Sequence, residues 1–291
     1  MKEKIKIAVA GGDSRQLAAA KELQTKGFEV SLFGAEEGGI AAGVPRAASL
    51  AECVTGACAV VLGVPFSADG KWINMRGADC AVSLSALCEL MAPKGLLLGG
   101  LITEEAKRTA GRYGVKTLDY FALEEVVVLN TVPTAEGAIA IAMSLLPVTI
   151  DGAKAGVIGS GRGARALVSR LCALGADVTV AARSAGGRAW CAVDGAAAVD
   201  VGELSALAGS DVIFNTVPAK ILGEKELAVI GSAPLIDLAS SPGGVDAEAA
   251  RALGCRVIQA LSLPGKVAPV TAGRIIANGV TSLLRGEGIT P

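Results

Sequence analysis

Residues 154–164 read Lys-Ala-Gly-Val-Ile-Gly-Ser-Gly-Arg-Gly-Ala. Gly159 and Gly161 take the first two places of a G-x-G-x-x-G/A pattern and Ala164 the third, with Ser160, Arg162 and Gly163 between them. The apolar run ahead of the pattern predicts a strand, and Leu167, Leu171 and Leu174 behind it recur at helical spacing. Gly175 ends that helix, and Asp177-Val178-Thr179-Val180-Ala181-Ala182 reads as a second strand. This context constrains the fold more than the glycines do. The first glycine makes a tight turn, the second lets a pyrophosphate approach the backbone, and the small third residue lets helix and strand pack closely. The helix N-terminus adds amide donors and a favourable dipole. Residues 154–184 therefore imply a dinucleotide-binding Rossmann unit.

The tip of the second strand carries Arg183 and Ser184 rather than an acid. An acid there usually takes the ribose hydroxyls of NAD, whereas a guanidinium and a hydroxyl suit the 2′-phosphate of NADP. Arg183 also reads as a solvated loop arginine. Asn215-Thr216-Val217-Pro218, after a later strand-like run, is expected beside the cofactor.

The chain repeats this plan. Gly11 and Gly159 lie 148 residues apart, as do Gly27 and Gly175. Gly56–Pro65 likewise matches Gly209–Pro218. Strands alternating with helices in both halves predict an α/β protein of two doubly wound, mostly parallel-sheet domains, the second the dinucleotide-binding Rossmann domain. The expected division is 1–129, an N-terminal Rossmann-like substrate domain, and 130–291, the NADP-binding domain. The second would open with a linker helix over 135–146 and end with a helix over 269–284 that packs back on the first. In the first half Gln16 stands where a small residue is needed, and Asp13 brings negative charge where phosphates would lie. No dinucleotide is expected there. Its helix N-terminus, with Ser14 and Arg15, suits a small anion, or reads as an ordinary cap beside a surface arginine.

Composition narrows the chemistry. The chain has 291 residues and no histidine, so a histidine–carboxylate mechanism and histidine metal ligands are excluded. A net charge of −1 argues against a nucleic-acid surface. The longest apolar-rich stretch, 138–148, reads as too short and interrupted for a membrane span. Seven cysteines without a C-x-x-C pair read as reduced thiols of a cytoplasmic protein, and no metal site is expected.

Ligands of doubly wound sheets sit at the carboxyl ends of the strands. Four stretches are expected loops of that kind: 13–15, 65–67, 130–136 and 237–244. They offer hydroxyls and an arginine suited to carboxylates. Thr134 reads equally as an N-cap, and Ser240 and Ser241 as turn residues before Pro242-Gly243-Gly244. Asp237, on an apolar strand, is expected to be structural rather than catalytic.

Further stretches carry a family resemblance. They are Ala10–Gln16, Asn130–Gly137, Gly159–Gly163, Ala182–Ser184, Asn215–Pro218, Asp237–Gly244 and Leu263–Gly273, in order across nearly the whole chain. Together they resemble the A subunits of dipicolinate synthase from endospore-forming bacteria. The chain departs from that pattern at Ser241 and Val270, where basic residues are common in the family. The resemblance implies NADP-dependent oxidation of dihydrodipicolinate, a small cyclic dicarboxylate, to dipicolinate. It also implies a partner, the flavoprotein-like B subunit, and a place in the mother-cell cytoplasm during sporulation. Arg15 would clamp one carboxylate, with Lys266, Ser240 and Ser241 as lesser candidates, and Ser67 and Thr134 would orient the ring. Two other readings stay open: a shikimate-dehydrogenase-like reductase, which would need a lysine facing an aspartate (Lys71 lies near Asp69), and a non-catalytic NADP-sensing subunit. Homo-oligomerisation also stays open.

Overall fold

The computed structural model describes residues 4–35, 38–77, 81–91, 93–240 and 243–291. The chain divides into two compact units, residues 1–130 with 264–291, and residues 131–263.

The first unit contains β1 (Lys6–Ala10), α1 (Ser14–Thr25), β2 (Glu29–Phe33), α2 (Leu50–Val54), β3 (Ala59–Val61), α3 (Leu84–Leu90), β4 (Leu96–Gly99), α4 (Glu104–Arg112) and β5 (Lys116–Asp119). The helix α5 (Glu124–Leu145) leads on to β6 (Lys154–Ile158), α6 (Arg162–Ala173), β7 (Asp177–Ala182), α7 (Ala185–Val193), β8 (Ala197–Asp200), β9 (Val212–Asn215), α8 (Glu224–Ile230), β10 (Leu235–Asp237), α9 (Ala247–Ala252) and β11 (Val257–Gln259). Last come α10 (Leu263–Val267) and α11 (Pro269–Gly286). β1, α1 and β2 start 148 residues before β6, α6 and β7, so the sequence repeat is a structural one.

Both sheets are parallel among the described residues. The second has the order β11-β10-β9-β6-β7-β8, the doubly wound Rossmann arrangement that switches direction at β6. The first has five strands, β2-β1-β3-β4-β5, an order that switches between β1 and β3. Strands buried on both faces need continuous apolar runs, and β3 (Ala-Val-Val) and β4 (Leu-Leu-Leu-Gly) are buried throughout.

The C-terminal helix α11 belongs to the first unit. Its Ile275, Ile276, Val280 and Leu284 are buried in that unit's core. It meets α1 at Gly273, where a Cβ would lie 2.4 Å from Ala18 Cβ and 2.6 Å from the Arg15 carbonyl. Backbone approach this close requires a glycine.

The expected loop over 130–136 is helical. α5 runs for 22 residues with Pro133 inside it, and the expected 135–146 helix is its second part. Pro133 lacks the N–H that would reach the Leu129 carbonyl, a loss of one hydrogen bond. Burial outweighs it: Val126 is fixed in the first core, and Ala135, Ala138, Ile139 and Ala142 in the second. By length and composition alone α5 could cross a membrane, contrary to the reading of 138–148 as too short. Part of its apolar face is buried in this way, while Val128, Leu129 and Met143 are exposed.

Candidate functional site

In the second unit β6 ends at Gly159, whose φ of +110° suits only glycine without strain. A Cβ there would collide with the Thr216 hydroxyl. Gly161 is the N-cap of α6, with φ −74°, no side-chain cap and nothing within 4 Å of where its Cβ would be. Gly161 thus puts no capping side chain over the start of α6, and the space its Cβ would take is open. Ala164 is buried, so the helix packs closely. Ser160 and Gly163 are partly exposed and Arg162 is exposed. This is the cradle a pyrophosphate requires.

A cleft of about 380 Å³ opens beside it, lined by residues that include Gly159, Ser160, Arg183, Ser184, Val201 and Val217. Ser184 caps α7, accepting a 3.0 Å hydrogen bond from Gly187 N–H. A Cβ on Gly187 would meet the hydroxyls of both Ser160 and Ser184, so the two serines face each other at the α7 N-terminus. Arg183 is exposed. Arg188, which sequence reasoning missed, donates from Nη1 to the carbonyls of Ala182 (2.8 Å) and Arg183 (3.0 Å) and to Asp200 Oδ2 (2.7 Å). Its signal was its place in the first turn of α7, the helix that follows the second strand of the Rossmann unit.

The Asn215–Pro218 turn is built by side chains. Asn215 Oδ1 accepts from Val217 N–H, and Asn215 Nδ2 donates to the Val217 carbonyl (3.2 Å) and Asp237 Oδ1 (2.8 Å). Thr216 Oγ1 donates to the Ile158 carbonyl at 2.8 Å. Asp237, 0% exposed, also accepts from Ala239 N, Gly244 N and Gln259 Nε2. Its lone pairs are therefore committed to holding the ends of β9, β10 and β11 together. Pro218 is exposed at the rim.

The equivalent loop of the first unit is filled. By the 148-residue offset Asp13 stands where Gly161 stands, and Gln16 where Ala164 stands. Asp13 caps α1 and accepts from Arg15 N–H, while Gln16 Oε1 accepts from Asp13 N–H at 3.1 Å. Gly12 N–H donates to the Asn74 carbonyl at 2.8 Å, and Gly12 bridges to Met75. The donors a phosphate would use are already engaged.

Arg15 is not a surface arginine. It is 6% exposed, and its Nε and Nη2 grip the Asp13 carboxylate at 2.8–3.2 Å. Nη2 also donates to the Val64 carbonyl at 2.6 Å. Burial raises the Asp13 carboxyl, but the hydrogen bonds and charge of Arg15 outweigh that and hold it below its ordinary range. Nη1 donates to no acceptor among the described residues. Gly265 packs over the pair, 3.1 Å from Arg15 Nε to where its Cβ would be, and accepts from Ser14 Oγ at 3.2 Å. Exposed Lys266 follows Gly265 directly in the chain.

The remaining candidates are scattered. Ser67 is 9% exposed and closes a turn, donating to Asp69 Oδ1 and accepting from Gly70 N–H. Thr134 lies inside α5 and is not an N-cap. Ser240 is exposed and its carbonyl accepts from Gly243 N–H. Ser241 lies outside the described residues. Val270 is exposed on α11. Asp69 takes the backbone N–H groups of Trp72 and Lys71, which lower its carboxyl, and Lys71 Nζ is not paired with it among the described residues. Tyr120 is fully buried, donates to the Leu62 carbonyl at 2.9 Å, and is pushed by burial far above the usual phenol range. It is no proton acceptor. No cluster suited to a metal occurs among the described residues.

A family model described as the N-terminal domain of the A subunit of dipicolinate synthase matches residues 6–121. One described as NADP oxidoreductase coenzyme F420-dependent matches residues 154–225. The chain is 30% identical over 296 residues to the dipicolinate synthase A subunit of Bacillus subtilis (strain 168), with 96% of each covered. The crystal structure of the dipicolinate synthase A subunit from Bacillus halodurans is similar at TM-score 0.86 and 28% identity, covering 96% of this chain and 97% of that one. The crystal structure of the Bacillus subtilis counterpart gives 0.84 at 28% identity, covering 98% and 97%. The second unit thus has the fold of NAD(P)-dependent oxidoreductases, which implies a nicotinamide dinucleotide, and its uncapped α6 N-terminus and open cleft fit that group. With similarity extending over both units and nearly all of both sequences, the chain belongs to the family of dipicolinate synthase A subunits.

Proposed function

We propose that the chain oxidises dihydrodipicolinate to dipicolinate with NADP as hydride acceptor. It would work beside a B subunit in the mother-cell cytoplasm of a sporulating bacterium. The observation that carries the reading is the contrast between two equivalent loops. One is filled by Asp13, Gln16 and Asn74, while the other starts its helix at a glycine with no capping side chain, next to a cleft lined by Arg183 and Ser184. Full-length relatedness to the dipicolinate synthase A subunit supports this choice of substrate.

The bound nicotinamide would accept the hydride. The ring of the dihydropyridine then loses a proton and becomes aromatic, which favours product. A weak base or water suffices, consistent with a chain that has no histidine. The first-unit residues would bind and orient the dicarboxylate. Asp13 already neutralises most of the Arg15 charge, so Arg15 offers a carboxylate only its Nη1 hydrogens. Lys266 supplies the free charge and Ser67 a hydroxyl. For the cofactor, the α6 amides, Ser160 and Gly161 take the pyrophosphate, Arg183 and Ser184 the 2′-phosphate, and Asn215–Pro218 the ribose.

The test is conversion of dihydrodipicolinate by the purified chain, with and without the B subunit. NADPH is followed by absorbance and dipicolinate by chromatography. Coupled appearance of both is expected in at least one mixture. Absence of dipicolinate in both, with folded protein, refutes the assignment.

A further inference from the structure

An acid does stand beside the end of β7, carried by the neighbouring strand β8. Asp200, the last residue of β8, pairs in register with Ala182, the last of β7. Val201, the next residue, lines the same cleft as Arg183 and Ser184. Asp200 is therefore adjacent to the place where acids of NAD-binding units reach the ribose hydroxyls. Its side chain is 48% exposed, so it is not removed by burial. It is held instead: Oδ2 accepts from Arg188 Nη1 at 2.7 Å and Oδ1 from Gly202 N–H at 3.0 Å. The same Arg188 nitrogen spans the carbonyls of Ala182 and Arg183. One guanidinium thus pins the turn that carries Arg183 and neutralises the Asp200 carboxylate beside it.

We propose that Arg188 is a positioning residue for cofactor choice: by pairing with Asp200 it masks an acid that would otherwise repel a 2′-phosphate and favour the unphosphorylated ribose. This rests on the reading that the cleft takes NADP. Nucleotide selectivity here would depend on a repulsive element kept neutral, as well as on the attraction of Arg183. Arg188 loses its effect on selectivity wherever Asp200 carries no charge.

The experiment titrates 2′,5′-ADP and 5′-AMP into the full chain by calorimetry, using wild type, Arg188→Met, Asp200→Asn and the double variant, with melting curves for each. Arg188→Met is expected to lower the preference for 2′,5′-ADP by roughly tenfold, because an uncovered carboxylate then faces the phosphate. Adding Asp200→Asn is expected to return the preference to within about threefold of wild type. If the double variant stays as low as Arg188→Met, Arg188 acts by direct contact or through the fold, and the proposal is overturned. If Arg188→Met does not fold, Asp200→Asn alone decides. It should hold or strengthen 2′,5′-ADP binding, and a drop of more than about threefold overturns the masking role. A wild type that prefers 5′-AMP refutes NADP choice, yet recovery in the double variant still reads the Arg188–Asp200 coupling. The two failures are therefore distinct.

Discussion

Gly161→Val should separate cofactor binding from folding. Gly161 has an ordinary φ of −74°, so valine meets no backbone penalty, and nothing lies within 4 Å of the position its Cβ would take. The loss to the fold is at most about 1 kcal/mol, the preference of an N-cap position for glycine over valine, since Gly161 contributes no capping side chain to lose. The loss to the ligand is larger. The branched side chain would stand over the α6 N-terminus and keep a pyrophosphate from its amides. Two charge-assisted hydrogen bonds at about 1.5–3 kcal/mol each give roughly 3–6 kcal/mol. At about 1.4 kcal/mol per decade that is a hundredfold to ten-thousandfold weaker binding. The assay is calorimetric titration with NADPH, paired with a thermal melt. A folded Gly161→Val that binds NADPH within about threefold of wild type would refute the role given to this helix N-terminus. Gly12→Val is no neutral comparison: Gly12 has φ +88° and its Cβ would meet the Gln16 side chain, so that variant disrupts the first unit instead.

Arg15→Ala leaves the Asp13 carboxylate buried without its partner and should destabilise the first unit by about 3–5 kcal/mol in urea unfolding; a change under about 1 kcal/mol would show the pair to be dispensable. Asp13 has a folded pKa held below its unfolded value, so its contribution is present above pH near 4 and lost as pH falls through the lower folded value; Asp13→Asn should flatten the acid limb of a stability–pH curve, and an unchanged limb refutes this. Gly273→Leu drives a side chain into Ala18 and the α1 backbone, and should lower stability by about 1–3 kcal/mol or more while NADPH affinity holds; a wild-type melt would contradict the close packing of α11 on α1. Ser184→Ala removes the α7 cap and should lower stability by about 1 kcal/mol, with NADP binding weakened more than NAD binding; equal weakening counts against a 2′-phosphate contact.

Local pattern and tertiary packing decided different things here. The two α/β units were legible because a βαβ fingerprint is local: Gly159, Gly161 and Ala164 dictate a turn, an approach and a packing distance within one strand and one helix. The 148-residue repeat carried that inference to the first half, and Asp13 and Gln16 marked the loop that differs. Two local readings failed because packing overrode them. Pro133 was expected to sit in a loop, but apolar residues on both sides of it are buried, which keeps α5 continuous. The alternative of a surface arginine at position 15 fell because the Val64 carbonyl and Gly265, remote in sequence, enclose Arg15 against Asp13.

The sequence by itself determined the fold class and the backbone of the phosphate loop, since both follow from periodicity and residue size over short spans. Only the tertiary structure decided which charges are spent. Asp200 reaches Arg188 across adjacent strand ends, and Asp237 on β10 gathers Asn215 from β9 and Gln259 from β11. Such pairings depend on where parallel strands end beside one another, which is a property of the sheet and of no single stretch of sequence.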